Sequence, residues 1–131
     1  VEADLAREEL LQLAASESRY RILAEAMPSL LLVIDADGQH EYANGAMLNY
    51  TGLTLAELRE NGMARVVHEA DYDTTREHFV QAQHSGSGYQ HEVRLRGRDG
   101  QFRWFLSKVA PVRHTDGRID RWIGVAADMH D

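Results

Sequence analysis

The C-terminal stretch from Gly97 to Asp131 reads GRDGQFRWFLSKVAPVRHTDGRIDRWIGVAADMHD and decides how the chain folds. It contains two runs of strand-forming residues, 102–112 and 119–127, joined by a turn at 114–117 that ends in Asp-Gly. A second Asp-Gly pair, at 99–100, separates the first run from an alternating segment at 89–96. Asp-Gly between such runs is the strongest short-range hairpin signal, because the turn needs a positive φ that glycine adopts freely. The stretch therefore predicts three consecutive antiparallel strands.

Residues 1–27 have the periodicity of an amphipathic helix, which Pro28 should end. Its seam advances in steps of three and four residues, with one polar break at Glu17. Two compatible interpretations remain open. The helix packs on its own domain, or it pairs with a second copy as a signalling and dimerisation helix. In the second interpretation the contact residues are Ala6, Leu10, Leu13 and Tyr20.

The helical spacing of apolar residues does not continue after Ser29. Leu30–Ile34 is a continuous apolar run closed by Asp-Ala-Asp-Gly, which predicts a buried strand and a turn. Residues 40–43 would form its short hairpin partner, and small helices should follow from Asn44 onward. Runs of strands and helices without βαβ alternation indicate an α+β fold with an antiparallel sheet.

Capping signals mark two of these helices. Thr54 and Glu57 have the spacing of a capping box, in which each side chain satisfies an amide at the start of the helix. Thr74 and Glu77 repeat that spacing, so we expect a longer helix to begin there and to run through His84.

Several phrases of the chain resemble PAS domains that carry a C-terminal PAC motif. The matching residues are Arg98-Asp99-Gly100, Arg103-Trp104, Pro111-Val112, Asp116-Gly117-Arg118, Gly124 and Asp128-Met129, together with segments 49–58 and 67–71. The resemblance covers about residues 20–131. It implies a five-stranded antiparallel sheet of order 2-1-5-4-3 with short helices on one face, and a PAS domain at 28–131. Such domains serve as input or dimerisation modules in sensor histidine kinases, cyclic-dinucleotide enzymes and chemoreceptors.

Composition limits the classes of function. The chain has 131 residues, 44% of them hydrophobic, which suits one domain with a real core. A net charge of −7 disfavours binding to nucleic acid or to anionic membranes. No apolar run could span a membrane and no signal peptide is visible, so we expect a cytoplasmic domain. Val1 in place of methionine favours a piece of a longer protein with an effector domain after this one.

The resemblance also implies where a ligand would lie, between the short helices and the inner face of the sheet. By similarity to flavin-binding members, the expected pocket lining is Leu32, Ile34, Met63, Leu95, Phe105, Ser107, Trp122 and Ala126, with Val93 on the same face. The opposite face would carry Leu31, Val33, Trp104, Leu106, Ala110, Ile123 and Val125. That outer set is too apolar to face water on a monomer, and the N-terminal helix is the available cover.

No specific cofactor is predicted. Met63 aligns with the photoreactive cysteine of flavin-binding light sensors, and the chain has no cysteine at all. The amides that hold their flavin ring are replaced by Leu95, Phe105 and Ala126. Haem is disfavoured because the ligand position of haem-binding members falls on Thr75, three residues before His78. The histidines show no metal-site spacing, so an unidentified small molecule is the remaining ligand class.

Enzymatic motifs are incomplete. His68-Glu69 begins like a zinc-protease helix, but Tyr72 stands where the second histidine belongs. No glycine-rich phosphate loop or nucleophile elbow is present, so we expect no catalysis by this chain.

Two classes of function remain, a ligand-responsive sensor and a ligand-free dimerisation and relay module. Four methionines and several large apolar side chains could fill the space between the short helices and the sheet without a ligand, which slightly favours the ligand-free module. In either case the resemblance implies that Asp128, in the terminal Asp-Met-His, marks where the last strand hands the signal to an output helix. We expect a homodimer.

Overall fold

The computed structural model describes Arg7 and residues 18–130. Within that part the chain begins with a helical segment at 18–26, which we call α1. It continues through strands β1 (Leu30–Asp35) and β2 (His40–Ala43) and helices α2 (Gly45–Thr51), α3 (Leu55–Arg59), α4 (Gly62–Val66) and α5 (Glu69–Ser85). Strands β3 (Tyr89–Arg96), β4 (Phe102–Arg113) and β5 (Ile119–Asp128) complete it.

The five strands form one antiparallel sheet of order β2-β1-β5-β4-β3. The predicted fold, strand order and hairpins are thus confirmed. Both Asp-Gly turns contain the expected left-handed glycine, with φ of 82° at Gly100 and 91° at Gly117. No helix in the described chain is long and apolar enough to cross a membrane.

The helix starts follow local capping chemistry, with one correction. Thr54 and Glu57 form the predicted capping box of α3. The prediction that the long helix begins at Thr74 is wrong, because α5 begins five residues earlier. His68 is its N-cap, and the Nδ1 atom accepts a hydrogen bond from the amide of Ala70 at 3.0 Å. Acidic residues in the first turn add favourable interactions with the helix dipole.

The core lies between the inner face of the sheet and helices α2–α5. Its larger cluster joins Leu30, Ala43, Met47, Leu53, Leu58, Val66, Val67, Val93, Leu95, Phe105 and Ala126. A smaller cluster joins Ala82, Val109 and Trp122 near the C-terminal half of α5. On the outer face Leu31 is buried, whereas the side chain of Trp104 is half exposed and lies under the guanidinium of Arg94. Whether residues 1–17 cover the remainder of that face lies outside the described residues, apart from Arg7.

Candidate ligand-binding cavity

Strand alternation and register build the floor of the cavity. Every second residue of a strand faces the helices, and the register places those residues in rows across the sheet. Ala126 on β5 pairs with Leu30 on β1 and with Ser107 on β4, and Ser107 in turn pairs with His91 on β3. One row of side chains therefore crosses the sheet below the helices, from the apolar Leu30 through the small Ala126 and Ser107 to His91.

A cavity of about 310 Å³ lies above this row. Its walls are mostly aliphatic and aromatic side chains from all five strands and from α2, α4 and α5, with Leu58 from α3. Its volume is at the lower end of the range typical of small-molecule sites. Met47, Leu58, Tyr72 and Phe79 belong to the helical wall. The geometry can therefore hold a small molecule in a largely apolar environment.

Six of the eight sequence-predicted lining residues border this cavity: Leu32, Ile34, Met63, Leu95, Ser107 and Ala126. Phe105 and Trp122 are on the predicted face but are not among the lining residues. Phe105 packs edge-on against Tyr50, with ring centroids 5.1 Å apart, and Trp122 packs edge-on against Phe79 at 5.8 Å. Aromatic neighbours therefore enclose both rings within the core. A ligand-binding role for the other six stays a prediction.

A polar corner of the cavity lies between α5 and β3. Thr75 is buried in α5, and the Oγ1 atom lies 3.3 Å from Nε2 of His91. His78 stacks on His91, with ring centroids 4.9 Å apart, and also on Tyr89 at 5.4 Å. Burial raises the pKa of Tyr89 to about 12. Burial also lowers the pKa of His91, and the neighbouring His78 lowers it further, so this imidazole is neutral near pH 7.

The sequence prediction missed His91 and Thr75 as lining residues. The signal was present for His91, because 89, 91, 93 and 95 alternate along one strand and Val93 and Leu95 were already placed on the inner face. Thr75 could not be placed in this way, since the predicted start of the helix was wrong. It is nevertheless the position where the resemblance places the ligand of haem-binding PAS sensors, and it borders the cavity whereas His78 does not.

The lining residues lack the groups with which the light sensors bind flavin. Met63 borders the cavity at the position of the light sensors' cysteine, and a thioether cannot form that adduct. The described lining includes no asparagine or glutamine amide to hold a flavin ring. Within Arg7 and 18–130, no group of three or more His, Cys, Asp or Glu residues is arranged to hold a metal ion.

Asn44 fastens α1 to the sheet and to α2. The side chain is fully buried, and Oδ1 accepts hydrogen bonds from the amides of Leu31 at 3.1 Å and Met47 at 3.0 Å. Its Nδ2 donates to the carbonyls of Ala24 at 2.9 Å and Ser29 at 3.0 Å. All four bonding positions of the amide are thus used, and they join the end of α1, β1 and the start of α2.

Glu25 makes a second connection from α1. The carboxylate accepts hydrogen bonds from the Tyr42 hydroxyl and from the Gly45 amide, the latter at 2.9 Å. These bonds lower the pKa of Glu25. Burial, followed by the contact with Glu25, raises the pKa of Tyr42 to about 12. The end of α1 is therefore held through both a neutral amide and a carboxylate.

Two other predicted functional residues, Asp128 and Tyr20, do not border the cavity. Asp128 ends β5, opposite Phe105, and Oδ1 accepts a hydrogen bond from the His130 amide at 2.9 Å. Tyr20 is 71% exposed on α1, where Ile22 and Leu23 are also largely exposed. The remaining dimer-seam residues, Ala6, Leu10 and Leu13, lie outside the described residues.

The fold and the cavity together define a class, an α+β domain whose short helices enclose a small-molecule-sized space against one sheet face. The sequence model of the PAS fold family matches residues 40–126. That span is more than half of the chain and contains β2 to β4, most of β5 and helices α2 to α5. The chain belongs to the PAS family.

Known relatives agree with this assignment. The chain is 32% identical over 128 residues to the peroxide stress-activated histidine kinase mak1 of Schizosaccharomyces pombe, covering 91% of this chain but 8% of that protein. An RNA-binding light-oxygen-voltage receptor superposes with a TM-score of 0.74 at 24% identity, over 88% of this chain and 33% of the receptor. The PAS domain of the Cronobacter turicensis RpfR quorum-sensing receptor, in complex with C12:0, gives 0.66 at 23% identity, over 79% of this chain and 95% of that one.

Proposed function

We propose that this PAS domain is a sensor module that binds a small, mostly apolar molecule in the cavity. The observation that carries the proposal is the apolar space of about 310 Å³ below the helices. The walls are almost entirely apolar, so a molecule that covers them would be stabilised by about 25 cal/mol for each Å² of apolar surface removed from water. Binding would therefore give the domain a ligand-dependent state.

The chemistry of the lining supports binding without catalysis. No aspartate or glutamate is among the described lining residues, so a carboxylate acid or base is not available there. Ser107 lies opposite His91 in the sheet, but the described contact of the His91 ring is with Thr75. A PAS domain of the same fold has been described in complex with C12:0, a molecule that suits an apolar cavity.

The domain would act within a longer, cytoplasmic signalling protein. The matched histidine kinase is about twelve times longer than the matching segment, and an effector domain after β5 would read the state of the cavity. We place the coupling at Asp128, because its bond to the His130 amide fixes the direction in which the chain leaves the sheet. In the longer protein, Asp128→Ala should leave the domain folded and hold the output at one level, whereas Asp128→Asn retains the acceptor oxygen and should respond. An Asp128→Ala protein that responds to its stimulus like the wild type would exclude this role.

Ligand binding can be tested directly. The domain is purified under native conditions, denatured and analysed by mass spectrometry for a released molecule, and the neutral dye N-phenylnaphthylamine is titrated into the delipidated protein. Ala126→Phe should fill the cavity and abolish the dye's fluorescence gain. Ala127→Phe is the matched control, because Ala127 is exposed on the opposite face of the same strand. Failure to release a molecule together with failure to bind the dye would refute the proposal.

Homodimerisation through α1 is a second function, favoured by a separate observation. Tyr20, Ile22 and Leu23 expose between 63% and 71% of their surface, although a monomeric domain normally shields large apolar side chains of one helix. A helix-to-helix contact between two copies would bury them. Glutamate at positions 20 and 23 should produce a monomer with an unchanged fold, measured by light scattering and circular dichroism. A wild-type domain that is already monomeric would exclude this function.

A further inference from the structure

One nitrogen atom at the polar corner of the cavity has no partner. Nδ1 of His91 is closed off from solvent and makes no hydrogen bond within the described chain, while Nε2 of the same ring contacts Thr75. Buried polar side-chain atoms almost always have a partner, because leaving one unpaired forfeits its hydration without replacement. His91 also borders the cavity, so the missing partner can be an atom of whatever occupies it.

The tautomer of the ring decides what that partner must be. A neutral imidazole carries one N–H and one acceptor nitrogen. We assign the Thr75 hydroxyl as the donor to Nε2, which leaves the ring proton on Nδ1 and makes that atom a donor. Burial and the neighbouring His78 keep the pKa of His91 below its ordinary value, in agreement with a neutral ring. An oxygen of the ligand would complete the pair.

The shape of the cavity restricts the remainder of the ligand. Its lining extends from His40 on β2 to His91 on β3, the two edge strands of the sheet. Four inter-strand steps separate those edges, which corresponds to roughly 19 Å across the sheet. Between them the walls are almost entirely apolar. The occupant is therefore elongated, with its oxygen at one end.

A positive charge lies near the same side. Arg76 is one residue from Thr75 on α5, it borders the cavity, and it also borders the shallow surface depression next to it. It thus lies at the mouth, where Asp73 and Glu77 border the same depression, and within residues 18–130 it forms no ion pair with either carboxylate. The guanidinium can neutralise an anionic end group without entering the apolar interior.

We propose that the cavity takes an amphiphile with an extended apolar body and a carboxylate head, in which a carboxylate oxygen accepts a hydrogen bond from Nδ1 of His91 and Arg76 balances the charge. This inference rests on the proposed ligand-binding function and adds the chemical class of the ligand and the residues that select it. His91 is the specificity-determining residue, because among the described residues it supplies the buried polar atom of the lining that has no hydrogen-bond partner.

The test uses two probes of equal length and opposite head group, decanoic acid and decylamine, at pH 7. Each is titrated against the domain loaded with N-phenylnaphthylamine, and displacement of the dye gives its affinity. Decanoate should displace the dye at least tenfold more effectively than decylammonium, because only decanoate offers an acceptor to His91 and an anion to Arg76. Equal displacement by both probes would mean that water satisfies Nδ1, and it would overturn the proposal.

His91→Phe and His114→Phe form the matched pair of variants. Both replace an imidazole by an apolar ring, and the phenyl ring at 91 can still stack on His78. His91→Phe should weaken decanoate by tenfold to a hundredfold while the dye, which has no carboxylate, still binds. His114 is exposed in the turn between β4 and β5 and does not border the cavity, so His114→Phe should change decanoate affinity less than threefold. A larger effect at His114 than at His91 would overturn the proposal.

Ring-nitrogen NMR gives a readout that a structural role of His91 would not change. In ¹⁵N-labelled domain, the imidazole signals that disappear in His91→Phe should show the proton on Nδ1 and should shift when decanoate is added. Absence of any shift would overturn the contact. If the dye binds but decanoate does not displace it, the ligand-binding function stands and the carboxylate amphiphile is excluded. If the dye does not bind and no molecule is released from the natively purified domain, the proposed function itself fails.

Discussion

Replacing Asn44 by alanine tests whether one buried amide holds the N-terminal part of the domain together. The change removes four hydrogen bonds, three of them buried and one partly buried. At about 1 kcal/mol net for each bond, we expect the free energy of unfolding to fall by about 4 kcal/mol. Unfolding entropy of about 2.1 cal/mol/K per residue over 131 residues converts this into a drop in melting temperature of about 15 °C.

Urea denaturation followed by circular dichroism measures this loss, and Asn49→Ala is the matched control. Asn49 is the same residue type on the neighbouring helix α2, but it is exposed, so the change should alter stability by less than about 0.5 kcal/mol. An Asn44→Ala domain that loses less than about 1 kcal/mol, or no more than the control, would refute the reasoning. The bonds in the structure would then contribute no net stability.

Asn44→Asp separates the two halves of this connection. A carboxylate can still accept from the amides of Leu31 and Met47, but it cannot donate to the carbonyls of Ala24 and Ser29. We therefore expect the backbone amides of 18–26 to exchange hydrogen faster than in the wild type, relative to the amides of β4 and β5. Unchanged exchange in 18–26 would show that the carbonyl bonds do not hold α1.

The remaining expectations concern an ion pair and two glycines. Hydrogen bonds from Arg94 lower the pKa of Asp71 below its ordinary value of 3.8, so the pair stabilises the fold above that pH and the stabilisation is lost as the pH falls through the lowered pKa. Urea titrations at a series of pH values should therefore show that the free energy of unfolding of Asp71→Asn falls less below pH 4 than that of the wild type. If the two proteins lose stability in parallel as the pH falls, the ion pair does not have this effect. Gly88→Ala should destabilise the domain by about 2 kcal/mol or more, because the new Cβ would lie 2.5 Å from the carbonyl oxygen of Val109. In Gly100→Ala the new Cβ meets no atom within 4 Å, so the only cost is the strain of a φ of 82°, about 1 kcal/mol. A larger loss of stability for Gly100→Ala than for Gly88→Ala in the same denaturation assay would contradict this comparison.

The strands were predictable because period and turn chemistry specify them locally. Each predicted strand agrees with the structure to within one residue at either end, since Asp-Gly turns and apolar runs delimit them. The start of α5 was not predictable in this way, because its N-cap is a histidine whose ring nitrogen accepts the bond from the helix amide. The spacing of Thr74 and Glu77, which resembles a capping box, lies inside the helix. The local sequence cannot distinguish a capping box that begins a helix from the same residue spacing inside a helix.

Residues on the strand faces were predictable, and so was Met63 from its alignment with the light sensors' cysteine. Alternation divided the strand residues between two faces, and the resemblance to PAS domains identified the face with Leu32, Ile34, Leu95, Ser107 and Ala126 as the inner one. Neither could show that aromatic neighbours pack against Phe105 and Trp122. The rest of the helical wall and the unpartnered nitrogen depend on contacts between residues far apart in the chain. The sequence likewise predicted that a helix begins at Asn44, but it could not predict the bonds from Asn44 to Ala24 and Ser29, because these depend on where α1 ends.

The pairing of β1 with β5 has a mechanical consequence. Leu30, where the chain arrives from α1, lies opposite Ala126, two residues before the end of β5. Tension applied through α1 and through the chain beyond Asp128 would therefore pull the two central strands apart from the same end. Antiparallel ladder bonds lie perpendicular to the strands, so such a load opens them one after another like a zipper, whereas a load along the strands would strain them all at once. When the domain is stretched through α1 and the chain beyond Asp128, the β1–β5 ladder should open at low force. The pair Leu30–Ala126, which lies at the pulled end of the ladder, should separate first.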